Sequence, residues 1–186
     1  ERMSGIVSAV AFMHEMGLVH NDLKPANVLV DASGRLMLTD FGLARTMQTV
    51  HNSVTGGNRS KLLSEDEDCE EHETGGGTFA YMAPERFVGD KAEPEADVFS
   101  LCVVLAEVLE CMPPPSYASR AQAYDMIVER GLRPRLKKGF VRRCEEEGLG
   151  DLVPLLQRGW SKDEEERPTA TEMHKMLVQM VAQARA

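Results

Sequence analysis

Apolar positions recur at helical spacing over residues 3 to 17, where Ile6, Val10, Met13 and Gly17 share one face and Val7, Ala11, His14 and Leu18 lie beside them. The pattern predicts a helix that Gly17 can stop. Two short apolar runs follow, Asn27-Val28-Leu29-Val30 and Arg35-Leu36-Met37-Leu38-Thr39. Asp31-Ala32-Ser33-Gly34 between them reads as a turn, so the runs predict a β-hairpin. From about Ala44 to Gly77 periodicity disappears. That stretch collects Gly, Ser, Thr and Asn before acidic runs at Glu65-Asp66-Glu67-Asp68 and Glu70-Glu71, and predicts a long mobile loop.

Ala96 to Glu110 is apolar on nearly every side, which predicts a helix buried in the middle of the domain, ended by Pro113-Pro114-Pro115. Further helices are predicted near Ser119 to Arg130 and Leu149 to Gly159, with Pro154 weakening the second. The last helix is marked by a capping-box pair, Thr169 and Glu172, just after Pro168. Met173, Met176, Leu177, Met180 and Val181 form its apolar stripe.

With 186 residues and 42% hydrophobic content the chain can bury one sizeable core, which predicts a single globular unit of mainly α class. Its longest apolar runs fall well short of the roughly 18 residues needed to span a bilayer, so no membrane segment is expected in this chain. Thirty acidic against 21 basic residues give a net charge of −9, which repels nucleic-acid backbones and argues against a nucleic-acid partner. Cys69, Cys102, Cys111 and Cys144 lack the paired close spacing of a zinc site, and reduced thiols in an intracellular, cytoplasmic protein are the simplest expectation. The parent protein could still be membrane-associated.

The segment His20-Asn21-Asp22-Leu23-Lys24-Pro25-Ala26-Asn27 sits between a predicted helix and a predicted hairpin, and Asp40-Phe41-Gly42 follows the second strand. Phosphoryl transfer from a nucleotide needs a carboxylate to orient the attacking hydroxyl, a cation for the transferring group, and oxygen ligands that hold Mg²⁺ against the phosphates. Asp22, Lys24, Asn27 and Asp40 supply that set. Asn27 as a neutral oxygen ligand and Asp40 as a charged one suit a hard ion that keeps several waters.

In their order, H-x-D-L-x-x-x-N, D-F-G and Ala83-Pro84-Glu85, the motifs resemble the eukaryotic protein kinases over the whole chain. The resemblance implies a C-terminal kinase lobe over 1–186: a helical lobe with a small β-hairpin, a catalytic loop at 20–27, and an activation segment at 40–85 with a long mobile insert at about 45–76. It implies Asp22 as the base, Lys24 as catalytic and nucleotide-contacting, and Asn27 and Asp40 as metal and cofactor residues for ATP and Mg²⁺. His20, Phe41 and Gly42 are then structural supports around the Asp-Phe-Gly turn. Ala96 to Glu110 looks like the family's buried F helix, with Asp97 as its anchor, and Arg167 resembles the late Arg that pairs with Glu85. Trp160-Ser161 before Glu166-Arg167-Pro168-Thr169 is similar to the tyrosine-kinase-like group. Lys24 and Thr78 both resemble the Ser/Thr-directed pattern, Thr78 as the residue that hydrogen-bonds the catalytic Asp and Lys. The implied partner is a protein substrate with Ser or Thr; the alternative is a pseudokinase-like binding or scaffold module without turnover.

Two departures stand out. No Gly-rich phosphate loop, V-A-I-K lysine or paired helix glutamate precedes Glu1, so the chain is expected to be a fragment, inactive alone, whose missing N-terminal β lobe is a required partner. Asn21 stands where most family members carry an Arg that binds a phosphorylated loop residue, so activation is not expected to use that ion pair. Ser53, Thr55, Ser60, Ser64 and Thr74 are conceivable modification sites, with Ser64 the best placed ahead of the acidic run. Cys102, where the family usually has Gly, is read as a packing variation.

Overall fold

The structure, a computed structural model, describes residues 2–47, 78–89 and 93–185. Helix α1 spans Arg2–Glu15. It closes as predicted: Met16 N donates to Phe12 O, Gly17 N donates to His14 O, and Gly17 adopts φ +74, a left-handed conformation that a glycine takes at little cost. The predicted hairpin is β2 (Val28–Val30) against β3 (Leu36–Leu38), antiparallel with Leu29 opposite Met37. Its turn is organised by the Asp31 carboxylate, which accepts from Ser33 N, Ser33 Oγ, Arg35 N and Arg35 Nε at 2.6 to 2.9 Å. These bonds, the Ser33 hydroxyl first, hold the Asp31 carboxyl far below the usual carboxylate range.

One pairing departs from the expected loop. Residues β1 (Leu18–Val19) and β4 (Arg45–Thr46) form an antiparallel ladder, so 45 and 46 are strand where the insert was expected to begin. Such a short strand leaves no periodic signal, and its partner lies on the other side of the hairpin. The rest of the expected insert from 48 to 76, with Ser53, Thr55, Ser60, Ser64 and Thr74, lies outside the described residues.

Helix α2 (Pro94–Glu110) opens with Pro at its first position, where the missing N–H removes no intrahelical bond, and buries a run from Ala96 to Ala106. Cys111 ends it at φ 50, donating its N–H to Glu107 O. Helix α3 (Arg120–Tyr124), capped by Ser119, widens into a π-helical turn at Asp125–Glu129, which accounts for the single helix predicted there. Helix α4 (Lys138–Glu146) was not predicted, because only Phe140 and Cys144 are buried among its polar residues. Helix α5 runs from Leu152 to Gly159 and begins later than predicted; Pro154 falls in its first turn, where no backbone donor is lost. Helix α6 (Ala170–Gln183) carries the predicted capping box: Glu172 N donates to Thr169 Oγ1 at 3.1 Å and Thr169 N to Glu172 Oε2 at 2.8 Å.

The core forms where α1, α5 and α6 meet around α2, through Ile6, Val10, Phe99, Leu105, Leu156 and Met173. Cys102 is completely buried, and its sulfur faces Gly159 on α5. No helix of the described residues is long and apolar enough to cross a membrane. The described architecture is mainly helical, with two small two-stranded sheets.

Candidate active site

The site is built on one end of α2. The Asp97 carboxylate, 1% exposed, accepts the backbone N–H of His20 on Oδ2 at 2.7 Å and that of Asn21 on Oδ1 at 2.8 Å, and His14 Nε2 lies 3.0 Å from the same Oδ2. The loop that follows β1 is therefore fixed to the core through its backbone. Asn21 sits at φ 65, a region Asn tolerates better than most residues, and its Nδ2 donates to Leu43 O at 3.1 Å. Asn21 Oδ1 is buried without a hydrogen-bond partner among the described residues.

Asp22, Lys24 and Asn27 converge. Lys24 Nζ lies 2.7 Å from Asp22 Oδ2, and Asn27 Nδ2 donates to both Asp22 O (2.8 Å) and Asp22 Oδ2 (2.9 Å). Asn27 is buried, and Pro25–Asn27 forms one 3₁₀ turn that brings it back over Asp22. With both amide hydrogens committed to Asp22, Asn27 Oδ1 is the atom left to accept or ligate.

His20 is fully buried beneath this loop. Thr39 O, 3.2 Å from Nε2, can only accept, while Asp22 N, 3.4 Å from Nδ1, can only donate. These partners select the Nε2–H tautomer. The ring also lies 5.4 Å from that of Phe41, so His20 supports the Asp40-Phe41-Gly42 turn. Asp40 is exposed at φ 60, and its Oδ1 accepts Gly42 N at 3.3 Å. A Cβ on residue 42 would stand 3.2 Å from that oxygen, a close approach that a small shift of the exposed Asp40 side chain would have to relieve. The remaining lone pairs of Asp40 accept no hydrogen bond among the described residues. One carboxylate and one neutral amide oxygen fit Mg²⁺ as a donor set.

The segment from Thr78 to Phe87 forms two 3₁₀ turns beside Asp22. Tyr81 OH donates to Glu107 Oε2 at 2.6 Å, and Ser100 Oγ donates to Tyr81 O at 2.7 Å. Burial, then the Glu107 bond, pushes the Tyr81 hydroxyl pKa up. Farther along, Glu85 and Arg167 make a bidentate pair at 2.6 and 2.9 Å. The Arg167 side chain is wholly buried, also donates to Ser161 O and Glu95 O, and lies over the Phe99 ring. Thr78 lines the same recess as Asp22, Leu23 and Met82, but no hydrogen bond joins it to Asp22 or Lys24 among the described residues. His14, Ser100 and Glu107 complete the supporting network without having been singled out as site residues; their polar positions in apolar helices were the available signal.

Comparison with known proteins agrees with this geometry. Residues 1–178 match the family described as protein kinase domain. The chain is 34% identical over 170 residues to serine/threonine-protein kinase STY17 of Arabidopsis thaliana, covering 91% of this chain and 25% of that protein. It is 32% identical over 183 residues to serine/threonine-protein kinase PknB of Mycobacterium tuberculosis, covering 97% and 26%. With serine/threonine-protein kinase AtPK1/AtPK6 of Arabidopsis thaliana the identity is 39% over 172 residues, covering 84% and 32%. The chain thus spans about a quarter to a third of the length of these relatives. A family match over nearly all its residues, and a loop in which Asp22, Lys24 and Asn27 meet beside Asp40-Phe41-Gly42, make this chain a member of the protein kinase domain family.

Proposed function

We propose that the chain is the C-terminal, catalytic-loop lobe of a serine/threonine protein kinase that transfers the γ-phosphoryl group of ATP to Ser or Thr hydroxyls of proteins. The observation that carries this proposal is the clip in which Lys24 and Asn27 both hold the Asp22 carboxylate. Asp22 accepts the hydrogen bond of the substrate hydroxyl and takes its proton as that oxygen bonds to the γ-phosphorus and the bond from the γ-phosphorus to the β–γ bridging oxygen breaks, releasing ADP. Lys24 stands where it can offset negative charge on the transferring group, and Asn27 keeps the Asp22 oxygen aimed. Asn27 and Asp40 would hold Mg²⁺, which supplies charge neutralisation at the phosphates when bound.

Nucleotide clamping by a Gly-rich phosphate loop and a lysine paired with a helix glutamate is assigned to a second lobe of the full-length protein. Thr78, on the wall of the Asp22 recess, is assigned to the approach of the substrate hydroxyl. Buried free thiols at Cys102 and Cys144 support an intracellular, cytoplasmic setting. The test is ATP-dependent phosphorylation of Ser/Thr peptides by the full-length protein and its Asp22→Asn variant. A loss of about a hundredfold or more in kcat is expected from removing the base; turnover indifferent to Asp22 would overturn its role as base, and no turnover by the full-length protein would instead point to a binding module.

A further inference from the structure

The antiparallel register that pairs Leu18 with Thr46 and Val19 with Arg45 also joins Met47 N to Gly17 O, at 2.9 Å. Carried two residues the other way, it sets Asn21 opposite Leu43. The Asn21 backbone N–H cannot serve as a rung there, because it is bonded to Asp97 Oδ1. The side chain supplies one instead, with Asn21 Nδ2 donating to Leu43 O at 3.1 Å. Only the NH₂ end of an amide can face a carbonyl, so this partner fixes the orientation and turns Oδ1 inward.

Local conformation alone does not call for Asn. Glycine would take φ 65 at little cost and would bury no oxygen without a partner. What Asn adds is the bond to Leu43 O, just past the Asp40-Phe41-Gly42 turn. The other side of that turn is tied as well: Thr39 N donates to Asn27 O at 2.9 Å, and His20 Nε2 donates to Thr39 O at 3.2 Å. Between these anchors Asp40 adopts φ 60 with its side chain exposed, and among the described residues its carboxylate accepts only from Gly42, inside the turn itself. A left-handed residue keeps one conformation where its surroundings over-determine it. Here the anchors at 39 and 43 do so.

We propose that Asn21 is a positioning residue for the metal: its amide, clipped to Leu43 O, holds the far side of the turn and so keeps the Asp40 carboxylate aimed at the Mg²⁺ that Asn27 Oδ1 also ligates. The proposal rests on the reading of Asp40 and Asn27 as the metal residues. It separates two parts of the site. Asp22, Lys24 and Asn27 hold one another through bonds in which the Asn21 side chain takes no part. Removing the Asn21 amide therefore loosens Asp40 and leaves the base in its clip, so the loss falls on metal affinity and not on the proton transfer.

The test uses the full-length protein and two readouts. One is binding of Mn²⁺, standing in for Mg²⁺, in the presence of ADP, followed by electron paramagnetic resonance without turnover. The other is the Mg²⁺ dependence of peptide phosphorylation. Asn21→Gly keeps the left-handed backbone and removes the amide; Asn21→Ala removes it without adding flexibility, and melting curves establish that each variant folds. Both half-saturating metal concentrations are expected to rise roughly threefold to tenfold, the worth of one hydrogen bond, with kcat recovered at saturating Mg²⁺. Thr169→Ala, which weakens the fold at α6, should leave both constants where they were. Unchanged metal constants in Asn21→Gly, or an equal rise in Thr169→Ala, would overturn the role of Asn21 and leave the kinase reading standing. Failure of the unaltered protein to bind Mn²⁺ with ADP would overturn both.

Discussion

Gly159 of α5 lies directly against Cys102 of α2: a Cβ on Gly159 would overlap the Cys102 sulfur and stand 3.2 Å from its Cβ. The two positions divide one volume in the core, so the sulfur at 102 is accommodated by the missing side chain at 159. Gly159→Ala is expected to destabilise the chain by about 2 kcal/mol through overpacking. Cys102→Gly/Gly159→Ala should lose less than the sum of the two single changes, because the methyl then enters the space that the sulfur vacates. Urea unfolding of the three variants measures this coupling, and strictly additive losses would show that the positions do not share space.

Asp97 should be intolerant of its amide. In Asp97→Asn one acceptor becomes an NH₂ that must face donors, either His14 and the His20 N–H or the Asn21 N–H, so a buried bond is replaced by a clash of hydrogens. A loss of about 3 kcal/mol is expected, with His14→Ala, which removes a single partner, costing less. Thermal unfolding that ranks the two variants in the opposite order would contradict this.

Thiol chemistry should separate the described cysteines. Burial pushes the Cys102 thiol pKa up to about 12 and also raises that of Cys144, whereas Cys111 is exposed. At pH 8 a maleimide is expected to modify Cys111 and to reach Cys102 only after unfolding, as read by peptide mass spectrometry. A raised folded pKa contributes stability that is whole below the unfolded value of 9.0 and is lost as pH rises toward about 12, so the urea midpoint should fall over that range. Rapid labelling of Cys102 in the folded chain would count against both statements.

The capping box gives the acid limb a matching feature. The Thr169 backbone N–H lowers the Glu172 carboxyl below its ordinary value of 4.5, so this contribution is present above pH 4.5 and is lost as pH falls through the lowered value. Thr169→Ala is expected to cost about 1 kcal/mol at neutral pH. Glu172→Gln should flatten the fall in stability below pH 4.5; an unchanged acid limb in that variant would show that other carboxylates set it.

What was legible in the sequence was local. Residues 20 to 27 and 40 to 42 lie near one another along the chain, so a hairpin is enough to bring Asp40 back toward Asp22, and short-range patterns announce a hairpin. The all-round apolar run of α2 and the box at Thr169 and Glu172 were legible for the same reason. The Glu85–Arg167 pair, 82 residues apart, could be expected only through family resemblance. The two-residue β1–β4 ladder and the Tyr81–Glu107 bond join distant residues with no periodic signature. Helix α4 was hidden because Phe140 and Cys144 are its only buried positions, too few to outline a stripe.

The attachment of His20 and Asn21 to α2 has a consequence for how the molecule breathes. Most loop amides exchange with solvent through small openings that leave a protein otherwise folded. Here two loop amides donate to a carboxylate on the most deeply buried helix, so releasing them means disturbing the core itself. Their deuterium uptake should be as slow as that of α2, and the loop that carries Asp22 should remain intact for as long as the core does.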